Sequence, residues 1–197
     1  MTKKDWTGNN TSTHATLGSS NHALEERQQH DYYATEPDAI DALFKVHKFS
    51  DTIWENACGE RHLSKRIEEY GKSVYSTDLI NRGYGDDFID FLSSDIQWPG
   101  DIITNPPYKY AKEFVEKSLE AIDSGRQVAM FLKLTFLEGQ RRRQLFEVAP
   151  PKYVYVFSAR KTCAKNGDFL SAGSSAACYA WFVWEKGFTG EPVIRWL

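Results

Sequence analysis

Asn105-Pro106-Pro107-Tyr108 closes the apolar run Asp101-Ile102-Ile103-Thr104, and its residue types suit the methylation of an exocyclic amino group. The N6 nitrogen of adenine is a poor nucleophile because its lone pair is delocalised into the ring. A protein can localise that pair by accepting hydrogen bonds from both N6 hydrogens as the nitrogen pyramidalises. The Asn105 side-chain carbonyl and the Pro106 backbone carbonyl are the candidate acceptors. Pro106 and Pro107 lock φ twice in succession, which fixes the direction of both groups. Tyr108 adds a flat face on which a flipped base can stack. A bare Asn-Pro-Pro is also an ordinary strand-to-loop turn. The preceding strand, Tyr108 and the upstream residues favour chemistry.

The elements that must position this loop alternate along the chain. Residues 52–57, 73–77, 101–104, 127–134, 153–157 and 176–184 read as strands. Between and before them, residues 38–47, 62–70, 110–123 and 138–148 read as helices. Pro37 opens the first of these, with Ile40, Leu43 and Phe44 on one face. Gly71 ends the second, and Phe114, Val115, Leu119 and Ile122 form the inner stripe of the third. The alternation predicts a doubly wound α/β sheet in a single domain. Residues 1–20 are rich in Thr, Ser, Asn and Gly and predict a mobile tail, with a short helix over 21–29; the whole of 1–30 is expected to lie outside the catalytic domain, 31–197.

A second set of residues sits at the strand ends. Glu55-Asn56-Ala57-Cys58-Gly59-Glu60 spans the turn from the first strand to the first helix of the sheet, where a glycine lets backbone approach a ligand closely. It is no G-x-G-x-x-G, so a dinucleotide phosphate site is unsupported. The acidic Glu55 with a small-residue turn suits the methionine end of S-adenosylmethionine, whose ammonium requires an acceptor. Asp78 ends the second strand, where a carboxylate in doubly wound folds takes ribose hydroxyls; it also reads as a turn aspartate. Asp90-Phe91 follows at the next strand end, suited to an adenine amino group and ring face, and Asp95 competes for that role. Tyr33, Thr35 and Pro37 form an aromatic-hydroxyl-proline segment suited to covering the methionine arm, or else simply the opening turn of a helix.

Bulk properties bound the rest. With 197 residues, 41% of them hydrophobic, the chain can bury a sizeable core. No apolar stretch approaches the roughly 20 residues that cross a bilayer, and the N-terminus lacks a signal-peptide core. Cys58, Cys163 and Cys178 have no paired spacing, which predicts reduced thiols in a cytoplasmic protein and neither disulfides nor a zinc site. The net charge is −3, yet cations gather at Arg141, Arg142 and Arg143 and at Arg160, Lys161 and Lys165, the candidate nucleic-acid contacts.

Taken together, these residues resemble the S-adenosylmethionine-dependent DNA adenine-N6 methyltransferases, in particular the small phage and prophage type. The resemblance runs from about Tyr32 to the last strand, is specific at Asn105 to Tyr108, and is moderate at Glu55 to Gly59 and at Asp78. It implies a Rossmann-like class I methyltransferase fold: a seven-stranded, mostly parallel sheet with an antiparallel last strand and helices on both faces. It further implies catalysis by Asn105, Pro106, Pro107 and Tyr108. Tyr33, Thr35, Glu55, Ala57, Gly59, Asp78, Asp90 and Phe91 would hold S-adenosyl-L-methionine. DNA would be the partner, and no metal would be required. Two features depart from the family pattern. Only Phe157 or Phe169 can face the far side of a flipped base, and Glu60-Arg61 stands where a further glycine is common. The same tetrapeptide serves RNA adenine methyltransferases and glutamine methyltransferases of translation factors. A catalytically idle DNA-binding or antirestriction module is a third alternative, opposed by the intact tetrapeptide. With few spare loops for groove reading, a short or degenerate recognition site is expected.

Overall fold

The computed structural model describes residues 33–159, 161, 163–165 and 177–197, so the expected tail, the 21–29 helix, Arg160 and Phe169 lie outside the described residues. Along the chain the elements are β1 (Tyr33–Thr35), α1 (Asp38–Val46), β2 (Thr52–Glu55), α2 (His62–Glu69), β3 (Ser73–Asp78), β4 (Asp87–Phe88) and β5 (Asp101–Thr104). Then follow α3 (Ala111–Ala121), β6 (Gln127–Lys133), α4 (Gln140–Val148), β7 (Tyr153–Val156), β8 (Cys163–Lys165), β9 (Tyr179–Glu185) and β10 (Val193–Trp196). Eight strands form one sheet in the order β10-β7-β9-β6-β5-β2-β3-β4. All its pairings are parallel except those of β9, which runs antiparallel to both β6 and β7.

Two details differ from the sequence expectation. The sheet has eight strands rather than seven, and the antiparallel strand is the penultimate one, enclosed between β6 and β7. The added strand, β10, returns parallel to β7 at the edge. Its four residues are all exposed, so it carries no burial alternation from which a strand can be read. β4 is only two residues long and equally exposed, and escapes notice for the same reason.

Period-two alternation along the buried strands divides the core. One face carries Trp54, Ile102, Val128, Met130, Leu132, Phe182 and Trp184 against Phe114 and Val115 of α3 and Leu145 of α4. The other carries Ile53, Ile103, Ala129, Phe131, Trp181 and Val183 against Ile40 and Leu43 of α1 and Leu63 and Ile67 of α2. Helices thus cover both faces, and the apolar stripes of α1 and α3 are the ones their periodicity marks. Of those stripes, Phe44 and Leu119 are only partly buried. Near the foot of the sheet, Gly100 is obligatory. A Cβ there would stand 2.1 Å from the Thr52 carbonyl oxygen and 2.9 Å from Trp98 Nε1.

Among the described residues, no helix is long and apolar enough to cross a membrane.

Candidate active site

The sheet reverses direction between β2 and β5: from β2 the chain first goes outward to β3 and β4, then crosses to β5 and β6 on the other side. Crevices outside the carboxyl ends of strands at such a reversal are where open α/β sheets bind ligands. Residues 53 and 54 lie beside 101 and 102 in this pairing, so the same register carries Asn56 to the level of Thr104, with Asn105 one residue beyond. The two segments singled out by their chemistry, after β2 and after β5, therefore meet across one strand gap.

On the β2 side the turn is held by backbone and carboxylates. Cys58 N–H donates to the Thr77 carbonyl (2.9 Å) and Arg61 N–H to the Cys58 carbonyl (2.8 Å). Gly59 has φ 53° and Arg61 φ 63°, two consecutive-but-one left-handed residues that bend the chain into α2. Gly59 N–H donates to Asp78 Oδ2 (2.8 Å), while Asp78 Oδ1 accepts from Ile80 N–H (2.9 Å) and Arg82 Nη1 (3.0 Å). Asp78 thus ties the turn to the end of β3.

Glu55 is buried beneath this turn, 2% exposed. Its Oε2 accepts from Ser64 N–H (2.8 Å) and from the Ser64 hydroxyl, which also meets Ser76 Oγ (2.6 Å). Burial raises its carboxyl to about 8, against the opposing pull of the Ser64 hydrogen bonds. Burial, with Glu55 and Asp78 nearby, likewise holds the Cys58 thiol up at about 12. Ala57 is partly buried against the core.

Four further expected cofactor residues, Tyr33, Thr35, Asp90 and Phe91, lie on other elements. Thr35, 2% exposed, lies in β1, which pairs antiparallel with β8 so that Tyr33 faces Lys165 and Thr35 faces Cys163. β1 also packs against α2, the helix that follows the turn after β2. Asp90 is exposed and accepts from the Ser93 hydroxyl (2.7 Å), whereas Phe91 turns inward, with its ring 5.2 Å from those of both Trp54 and Phe114. Asp95 is fully exposed and lies 3.7 Å from Lys117 Nζ. The buried oxygens Thr35 Oγ1, Asn56 Oδ1 and Thr104 Oγ1 have no hydrogen-bond partner among the described residues, and Asn56 and Thr104 lie level across the β2–β5 gap. Buried polar atoms ordinarily find partners, so these oxygens are open to a donor from outside the described residues.

On the β5 side Asn105 is half-buried and Pro106 buried, and Pro107 (φ −57°, ψ 117°) leads into a 3-10 turn over Tyr108–Tyr110. Tyr108 is half-buried; its ring centroid is 6.1 Å from that of Tyr179, which stacks on Phe131 at 5.0 Å. Phe157 packs edge-on to Phe131 at 5.9 Å, with Lys161 Nζ 5.4 Å from its centroid, so its ring belongs to the core beneath the site. Lys133, the last residue of β6, holds its Nζ 5.3 Å from the Tyr108 centroid. Sequence reasoning passed over Lys133; the signal was a lone cation ending the apolar run of 128–132 at a strand's carboxyl end.

The candidate nucleic-acid cations separate into distinct environments. Arg141 is exposed, Arg143 is bridged to Glu147 (2.7 Å), and Lys161 is bridged to Asp38. Arg142 donates Nε to the Phe136 carbonyl (2.7 Å) and Nη2 to the Thr135 carbonyl (3.1 Å) and the Glu138 carbonyl. Lys165 contributes its backbone to β8. Among the described residues no group of three or more His, Cys, Asp or Glu is placed to hold a metal ion. A cavity of about 510 Å³ between α3, α4 and the β9–β10 loop lies at the opposite end of the sheet, where Glu185 ends β9 beside Gln127.

The strand order, with one reversed strand enclosed near the edge, is that of the class I methyltransferase fold, and comparison with solved structures agrees. A Listeria monocytogenes protein assigned to the class I S-adenosylmethionine-dependent methyltransferases aligns with a TM-score of 0.56 at 14% identity, over 94% of this chain and 71% of that one. An Agrobacterium tumefaciens protein assigned as an O-methyltransferase aligns with a TM-score of 0.54 at 10% identity, over 77% and 81% of the two chains. The M protein of the type I restriction enzyme EcoKI aligns with a TM-score of 0.51 at 14% identity, over 70% of this chain and 40% of that one. No protein-family model matches the chain, and no curated protein sequence matches it.

Proposed function

We propose that this protein is an S-adenosylmethionine-dependent methyltransferase acting on the N6 amino group of adenine in DNA. The observation that carries the reading is the meeting of Asn105-Pro106-Pro107-Tyr108 with the Asn56–Gly59 turn across the β2–β5 reversal. The site fits the cofactor on its own chemistry. Asp78 offers carboxylate oxygens for ribose hydroxyls beside a left-handed glycine, and the unpartnered oxygens of Thr35 and Asn56 are acceptors for an ammonium. Tyr33, Thr35, Ala57, Gly59, Asp78 and Asp90 would line it. Glu55 would act from below by fixing Ser64 and the start of α2, and Phe91 by backing the adenine side of the crevice from the core. When bound, S-adenosylmethionine supplies an electrophilic methyl on a sulfonium.

The chain's own part is positional and electrostatic. Asn105 and the Pro106 carbonyl would accept the two N6 hydrogens, and Tyr108 would stack on the flipped base. An amide side chain is no useful base, so the proton leaves to solvent after transfer. The test offers labelled methyl donor with unmethylated duplex DNA, RNA and translation-factor protein in competition, followed by digestion and detection of the modified residue. N6-methyladenine from DNA is the expected product; preferential labelling of RNA or of protein glutamine would replace the reading.

A further inference from the structure

A cavity of about 160 Å³ shares Tyr108 with the catalytic loop and continues between Lys133, Thr135, Phe136 and Arg142, with Ala111 and Leu132 as its apolar wall. Two cations and no carboxylate line it. Arg142 is fixed in place: three backbone carbonyls take its Nε and Nη2, and its guanidinium lies 4.9 Å from the Phe136 centroid. Gly139, at φ 110°, makes room for it, since a Cβ there would come within 3.1 Å of Nη2. Neutral carbonyls orient this charge without cancelling it, and Nη1 has no hydrogen-bond partner among the described residues. Lys133 is exposed and, among the described residues, makes no ion pair. Glu138 gives Arg142 only its backbone carbonyl and turns an exposed side chain elsewhere. The contrast with Arg143, Arg61 and Lys161, each bridged to a carboxylate, is direct.

A rigid guanidinium with only its Nη1 unengaged, lining with an exposed ammonium a recess without acids, selects an anion with several oxygens. We infer that this cavity is a phosphate subsite that takes the phosphodiester adjoining the nucleotide stacked on Tyr108, with Lys133 and Arg142 as its donors. The inference rests on the nucleic-acid reading above and adds to it where the backbone of the strand is gripped. It also separates Arg142 from its neighbours Arg141 and Arg143, which the sequence alone treats as one cluster.

The test uses the full-length protein and unmethylated duplex oligonucleotides containing one site that the protein methylates, in which each linkage near the target adenine is replaced in turn by an uncharged methylphosphonate. For the wild type, one adjoining position should lower kcat/KM about tenfold, the size of one charge-assisted contact. Lys133→Gln should fall to that level on ordinary DNA, be indifferent to that linkage, and lose about one from the slope of log affinity against log salt. Lys133→Arg should recover most of the loss. Lys48→Gln, the same charge change on an exposed residue at the other end of the sheet, should leave all three readouts unchanged. A Lys133→Gln protein with wild-type slope and full sensitivity to every neutral linkage would overturn the subsite while leaving the methyltransferase reading intact. A wild type that methylates no nucleic acid would overturn both, and is told apart by the first measurement alone.

Discussion

At the scale of single residues, the proposed chemistry depends on acceptors that act in the transition state. Asn105 follows directly on β5, and Asn105→Ala removes one of the two acceptors for the N6 hydrogens without touching the turn after β2. Losing one such electrostatic contact typically costs about 10²–10³ in rate. The variant should therefore lose at least a hundredfold in kcat while calorimetry shows cofactor affinity within a few-fold of wild type. Retained turnover would show that Asn105 is only a turn residue. Asp78 calls for a different measurement, because its oxygens already hold Gly59, Ile80 and Arg82. Asp78→Ala removes that anchor together with the ribose acceptor, and cofactor affinity should fall at least tenfold, given about 1.5–3 kcal/mol for a charged hydrogen bond. Unchanged affinity would reduce Asp78 to a strut of the turn.

At the scale of elements, the crevice is as wide as β2 and β5 allow, and their spacing near the foot of β5 is set by a residue with no side chain. The Cβ of a Gly100→Ala variant would meet the Thr52 carbonyl of β2, a backbone atom that no rotamer change can move aside. Overpacking of this kind costs about 1–3 kcal/mol. Urea denaturation should show a lower midpoint at unchanged slope, and cofactor affinity should weaken as β2 and β5 are forced apart. A fully stable variant would mean that the loop before β5 relaxes freely. The elements themselves were largely legible. β5 was placed to the residue, and α1 and β2 to within one or two, because Pro37 marks a start and buried runs such as 127–133 have few competing readings. The β1–β8 pair was not legible. Its partners are some 130 residues apart, and three-residue strands carry too little pattern to announce a partner.

At the scale of the whole molecule, one buried carboxyl links stability to pH. Glu55 is raised from 4.5 to about 8 by burial, so between those values the folded state keeps a proton that the unfolded chain releases. Its contribution is complete below about pH 4.5, declines as pH rises, and is lost above about 8. Glu55→Gln keeps an acceptor for Ser64 but cannot titrate. The melting temperature of the variant should gain on that of the wild type steadily from pH 5 to pH 8 and run parallel above. Parallel curves throughout would show that Glu55 is ionised in the fold at neutral pH.

The sequence by itself determined the alternating α/β order, the core stripes and the identity of the tetrapeptide proposed for catalysis. These are properties of nearest neighbours along the chain: periodicity, proline-fixed φ and side-chain type. Only the tertiary structure decided which of the chemically apt residues share a crevice. Asp90 and Phe91 are adjacent in the chain, yet one is exposed and the other buried between Trp54 and Phe114. Arg142 and Arg143 are likewise adjacent, yet one lines a recess beside Tyr108 and the other is neutralised by Glu147. Strand order, the reversal between β2 and β5, and the place of Lys133 over Tyr108 arise from pairing between distant segments. The free energy of that pairing comes from burying both sheet faces at once, a sum over the whole core that no local window of residues contains.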